Sequence, residues 1–214
     1  MPYIPPKNRP AIDEAVAKLA GELAARLKKE DATATISELY RESFIGVADF
    51  IADIESGAAG APSGAEQELA QTIVELAKAY NQQGGWLGEL NYAITTLIQA
   101  VPFRMYQDGV WQEALRYWLY AETVGALVRT SYEIHAKSTN NWVANGLSGV
   151  FEDVKDEYKR RVNTAYEAAQ ILKSGDCFNM SPFRTQLVET ETAGVKGYAE
   201  VMLPWQKPTG NARP

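Results

Sequence analysis

A mostly α fold is expected: a bundle of about six helices, with a small C-terminal β-hairpin or an extended tail. Three features of the 214-residue chain predict it. Apolar residues recur every three or four positions through most of the first 172 residues, the period of a helix with one buried face. Glycine- and proline-containing breaks at 56–64, 84–85 and 174–175 separate these segments. Beyond Cys177 the helical period stops and β-forming residues take over.

The first helix starts at Pro10, where a first-turn proline is tolerated, and runs through Ile12, Val16, Leu19, Leu23 and Leu27. Lys28 and Lys29 close it with charges suited to its carbonyl end. The second spans Ile36–Ile54, with Leu39, Tyr40, Val47, Phe50, Ile51 and Ile54 on its inner face. A flexible link at 56–64 follows and could set off a two-helix arm, residues 1–56, from the body. The third covers Ala65–Gln82. The fourth begins after Gly85 and should end before Pro102, which has no N–H to continue the ladder. The fifth extends from Val110 to Lys137 and is apolar nearly all round in its middle, which suits a bundle centre or a subunit interface. The sixth carries Val143, Leu147, Val150, Val154, Tyr158, Val162, Ala165, Ala169 and Leu172, and Gly175 stands where a C-terminal glycine belongs. Segments 185–192 and 198–203 flank a Gly-containing turn and predict a hairpin. The domain reading is one helical domain, 1–178, followed by a partly extended appendage, 179–214.

Composition excludes several classes. An apolar fraction of 46% and a charged fraction of 22% are those of a globular protein, not a disordered one. A net charge of −6 gives no overall field for nucleic acid or an anionic membrane, so bulk nucleic-acid binding is not expected. One cysteine, Cys177, allows no internal disulfide and fits the cytoplasm. With His135 as the sole histidine, the usual zinc sets are out of reach. Neither a Gly-x-Ser-x-Gly elbow nor a phosphate-cradling Gly-x-x-x-x-Gly-Lys-Ser/Thr loop is present. No uncharged run approaches the ~18 apolar residues that span a bilayer, so no membrane association is expected.

Four constellations remain. Lys159-Arg160-Arg161 is the one dense basic cluster within a helix, and guanidinium groups there could clamp a phosphate or nucleotide. Asp156 and Glu157 lie four residues before the two arginines, so both arginines could equally be paired on a solvated face. Glu38, Glu42, Asp49 and Asp53 form an acidic stripe on the second helix, either solvated or able to hold Mg²⁺ against a triphosphate. Aromatic residues crowd the stretch from Phe103 to Tyr120, suited to core packing, an oligomer interface, or the stacking of a base. Arg129 and His135 fit an Arg-x(4–6)-His spacing and so resemble the catalytic signature of the all-α HEPN ribonucleases. The plainer role for His135 is to complement the dipole at its helix end.

Leu87-Gly-Glu-Leu-Asn-Tyr92 is similar to the second half of the carboxylate pattern of the all-α nucleotide pyrophosphohydrolases of the MazG and dimeric dUTPase type. That resemblance implies an Mg²⁺-dependent hydrolase with Glu89, Glu38 and Glu42 as metal ligands. The chain departs from it twice: Trp86 stands where a carboxylate belongs, and Glu152-Asp-Val-Lys-Asp156, which imitates the first half, follows the second.

A broader resemblance rests on the opening Met-Pro-Tyr-Ile-Pro-Pro, on Gly88-Glu-Leu-Asn-Tyr-Ala-Ile-Thr95, and on Tyr158-Lys-Arg-Arg-Val-Asn-Thr-Ala-Tyr-Glu167 with Gly175-Asp-Cys-Phe178. These segments resemble a family of short, mostly phage- or prophage-encoded proteins of unknown function. The resemblance implies a phage setting and a compact helical unit. It marks 102–137 and everything beyond Phe178 as additions to a smaller core. It supplies no catalytic residue.

The expectation is therefore a non-enzymatic phage accessory protein of the cytoplasm, needing no cofactor, which self-associates and binds a small anionic ligand such as a nucleotide, or a host protein. Its ligand site would combine Asn91 and Tyr92 with Lys159, Arg160, Arg161 and Tyr166. The alternatives are the Mg²⁺-dependent hydrolase and a structural, virion-associated component.

Overall fold

The computed structural model describes residues 4–28, 35–109, 115–137, 141–164, 168, 169 and 172, with side chains 115–118 excepted. Among them are six α-helices and no strand. They are α1 (Arg9–Leu27), α2 (Ile36–Ser56), α3 (Ala65–Ala77), α4 (Leu87–Gln107), α5 (Leu115–Lys137) and α6 (Trp142–Tyr158). The expected hairpin, 185–203, lies outside the described residues, as do Cys177 and Trp111. The chain divides into two compact units, Met1–Asp156 and Glu157–Pro214.

In the first unit α1 packs on α3 and α4, and α2 packs on α3 and α5. Each helix contributes the face its apolar spacing marks out. Ile12, Leu19 and Leu23 of α1, Leu39, Phe44 and Ile51 of α2, and Leu69 and Ile73 of α3 are all fully enclosed. α6 is pinned by specific contacts. Phe151 lies 5.5 Å from Phe44, and Ser131 of α5 and Ser148 share a hydroxyl–hydroxyl hydrogen bond of 2.9 Å.

Helix ends follow local chemistry. α2 opens with a capping box: the Glu38 N–H donates to Thr35 Oγ1 (3.2 Å), and the Thr35 N–H donates to Glu38 Oε2 (2.8 Å). Glu122 of α5 accepts from the Ser37 N–H (3.2 Å) and so covers one more orphan donor of that terminus. Gly57, at φ 76°, ends α2 in the left-handed region that glycine enters without strain.

Three boundaries differ from expectation, each for a physical reason. α3 stops at Ala77 and tightens into a 3₁₀ turn, Lys78–Tyr80, because Asn81 turns left-handed (φ 46°) and leads into the double glycine. α4 does not end before Pro102; it continues to Gln107. The missing hydrogen bond and ring clash cost about 3 kcal/mol. Burial of Val101, Pro102 and Met105 on one face offsets that cost. The sixth helix is not regular to Leu172: after Tyr158 it widens into a π turn, Lys159–Asn163. A π turn is a rare, single-turn departure inside an otherwise α-helical run, so apolar spacing at the α-helical period does not anticipate it.

Candidate functional site

Two polar centres hold the residues the sequence singles out. The first is built on the opening turn of α4. Glu89 is 1% exposed, and its Oε1 accepts from Asn8 Nδ2 (3.1 Å) and from the Tyr80 hydroxyl. Asn8 Nδ2 also donates to the Tyr80 oxygen at 2.8 Å. A buried carboxylate needs compensation. Here it comes from these two donors and from the positive end of the α4 dipole. Burial of the phenol, then the carboxylate it donates to, push Tyr80 up to about 12.

The rest of the Gly-Glu-Leu-Asn-Tyr segment serves the same junction. Gly88 faces Ile4, whose Cγ2 would make an ordinary 3.7 Å contact with a Cβ placed there. Arg9 donates to the Ile4 carbonyl and stands 5.7 Å over the Tyr92 ring. The Tyr92 hydroxyl donates to Asp13 Oδ1 (2.9 Å). Asn91 is buried, with its Oδ1 at 3.5 Å from the Thr95 hydroxyl. Two segments about eighty residues apart, Ile4–Arg9 and Gly88–Tyr92, thus interlock.

The second centre is the π turn. Glu157 accepts from Arg160 Nε and Nη2, both at 2.8 Å, and from Arg161 Nε. Those arginines hold the Glu157 carboxyl down to about 2, against its own partial burial. The expected Glu157–Arg161 pair forms, but Arg160 joins the same carboxylate, while Asp156 lies 3.6 Å from Lys155. One glutamate therefore holds two guanidinium groups side by side. Lys159 is exposed beside them. Tyr166 lies outside the described residues.

A titration follows from this geometry. In the wild type, carbon-detected NMR of the Glu157 carboxyl should give a midpoint near 2, and in Arg160→Ala/Arg161→Ala it should move up toward the ordinary ~4.3. The sign is that of a depressed carboxylate: the stabilisation is complete above pH ~4.3 and is lost as pH falls toward 2. A midpoint unchanged in the variant would show that the arginines do not set it.

The Asn91–Tyr92 and Lys159–Arg161 groups belong to different units. The three glutamates of the Mg²⁺ reading are engaged separately. Glu38 caps α2, Glu42 accepts from Arg26 (3.0 Å), and Glu89 is held by Asn8 and Tyr80. Among the described residues no three His, Cys, Asp or Glu side chains gather as a cation site requires. Arg129 reaches Ser37 across the α2–α5 contact, and His135 is exposed in the last turn of α5.

Sequence reasoning missed Asn8 and Tyr80. The available signal was Glu89 itself, a lone acid within the apolar run Trp86–Ile94, since such a residue must find donors when buried. Glu157 was legible as a partner, though not as the partner of both arginines.

No helix among the described residues is long and apolar enough to cross a membrane. No curated protein and no solved structure matches the chain. A family model described as a domain of unknown function, DUF6899, matches residues 1–142, a span that takes in 102–137 and excludes the Tyr158–Glu167 segment. With two thirds of its length matched, and both interlocked segments inside that span, the chain belongs to the DUF6899 family.

Proposed function

We propose that this is a non-enzymatic phage accessory protein that binds a small phosphate-bearing ligand, with nucleotides as the leading class, through the turn Lys159–Arg161. The observation that carries the reading is the pairing of Arg160 and Arg161 on Glu157. Arg160 and Arg161 share the Glu157 carboxylate, Lys159 is exposed beside them, and the planar guanidinium fork matches phosphate oxygens. The Arg160 side chain is 49% exposed on the far side of its pair with Glu157, so a phosphate can approach its guanidinium from solvent. Glu157 then acts as a positioning residue that keeps the pair together between ligands.

Self-association belongs to the same proposal and rests on α5, where Val128 and Tyr132 are 43% and 74% exposed. Large apolar side chains on the outer face of a helix suit a contact between copies. The phage setting rests on the resemblance of the opening and Gly88–Thr95 segments, and the cytoplasmic setting on the single cysteine.

Isothermal titration with ATP, dATP, GTP and inorganic pyrophosphate tests the ligand. At least one should bind saturably, and Arg160→Ala/Arg161→Ala should weaken it by roughly tenfold or more, about 1.4 kcal/mol. No binding, or equal binding by the variant, removes this reading. Light scattering tests the assembly: wild type should exceed the monomer mass and Tyr132→Glu should fall to it, whereas a monomeric wild type removes self-association.

A further inference from the structure

Glu157 grips one whole edge of the Arg160 guanidinium. Its Oε2 accepts from Arg160 Nε and its Oε1 from Arg160 Nη2, both at 2.8 Å, which makes two parallel hydrogen bonds. Oε1 also accepts from Arg161 Nε. Arginine takes carboxylate and phosphate oxygens in this same bidentate manner. The two oxygens of Glu157 therefore stand where two oxygens of a phosphate would bind, against both arginines at once.

The contact is partly shielded. The Glu157 and Arg161 side chains are 17% and 19% exposed, so water and salt screen the charge there less than at an open surface. Arg160 and then Arg161 hold the carboxyl ionised down to about 2, so its negative charge is in place at any ordinary pH. The backbone widens here into the π turn Lys159–Asn163, a departure that recurs at functional sites. A phosphate arriving at this turn meets the carboxylate in one of two ways. Either it takes the Nε–Nη2 edge and Glu157 must leave, or it binds Arg160 from the opposite side and Glu157 stays as a neighbouring like charge. Both oppose binding.

We propose that Glu157 is a built-in competitor for the anion site, an intramolecular carboxylate that imitates the ligand's phosphate and holds the affinity of the Lys159–Arg161 turn below what its arginines would otherwise give. This role rests on the phosphate reading of the turn and adds a control to it. The contact that keeps the arginines together between ligands is the one a ligand must overcome. A residue that only positions would weaken binding when its charge is lost. A competitor strengthens binding when neutralised. Glutamine separates the two, because it keeps the shape and an acceptor oxygen for the guanidinium groups while removing the charge.

The test titrates the full chain, Glu157→Gln and Arg160→Ala/Arg161→Ala with pyrophosphate by calorimetry, at pH 7 and an ionic strength fixed with sodium chloride. Glu157→Gln should bind about 3- to 10-fold tighter than wild type, and the gain should vanish when it is combined with Arg160→Ala/Arg161→Ala. Measurable binding by Glu157→Gln where wild type is too weak to fit supports the proposal equally. NMR of the wild type needs no substitution: the Glu157 carboxyl carbon should shift together with the Arg160 and Arg161 Nε signals as pyrophosphate saturates. Equal or weaker binding by a Glu157→Gln variant with unchanged circular dichroism overturns the proposal and leaves the phosphate reading standing. So does a Glu157 carboxyl signal that stays still while the arginine signals move. Neither heat nor arginine shifts, in wild type and Glu157→Gln alike, overturns both.

Discussion

Phe44→Ala should lower the stability of the first unit by about 3–5 kcal/mol, the range for an aromatic residue removed from a closed core. Phe44 is wholly buried on α2 and stacks on Tyr40 at 5.4 Å and 10°. It also meets Phe151 of α6 at 5.5 Å and 38°. Offset and tilted ring pairs add roughly 0.5–1.5 kcal/mol each beyond the area they bury. The position is unforgiving because Val47, Ala48 and Ile51 around the same face are also closed to solvent, leaving nothing loose to collapse into the hole. For a unit of this size each kcal/mol displaces the melting midpoint by roughly 2–4 °C, so a fall of roughly 6–20 °C is expected in a thermal scan. A shift under about 2 °C would mean that this ring does not sit in a closed core.

The same cluster shows why so much of the fold can be read from sequence. Tyr40, Val47 and Ile51 fall on one stripe by spacing alone, and burial follows the stripe because a helix has one way to hide it. Where the outcome depends on contacts far along the chain, spacing is silent. Pro102 reads as a stop, since its lost hydrogen bond is a local cost. The compensation is the enclosure of Val101 and Met105, which depends on neighbouring elements. Glu38 and Glu42 read as a stripe because they share a face. Yet one is spent on its own helix terminus and the other on Arg26 of α1.

Glu89 is the sharpest instance. In sequence it is an acid in a hydrolase-like segment; in the fold it is the acceptor that fastens Asn8. The basic turn was legible as chemistry, because arginine-rich runs are rare in an acidic chain. Its π geometry was not.

Asn8→Ala should cost about 1–3 kcal/mol, because it strips a donor from a buried carboxylate and leaves the desolvation cost in place. Tyr80→Phe should cost a similar amount for the same reason. The diagnostic is coupling. Once Glu89 is replaced by alanine there is no charge left to satisfy, so Asn8→Ala in that background should lose at least about 1 kcal/mol of its effect. Additive losses would show that Asn8 acts by packing alone. The pH dependence carries its own sign. The Tyr80 phenol is held neutral up to about 12, against ~10 in the unfolded chain, so its contribution is whole below pH ~10 and drains away as pH climbs toward 12. A phenolate has no proton left to donate and would set a second negative charge against the Glu89 carboxylate. Urea denaturation at pH 8 and pH 11 should therefore show a larger alkaline loss in wild type than in Tyr80→Phe. Equal losses would place the alkaline sensitivity elsewhere. Because Asn8 lies in the chain's first turn and Glu89 in the first turn of α4, the same measurements report whether the N-terminal segment is fastened to α4 through this carboxylate.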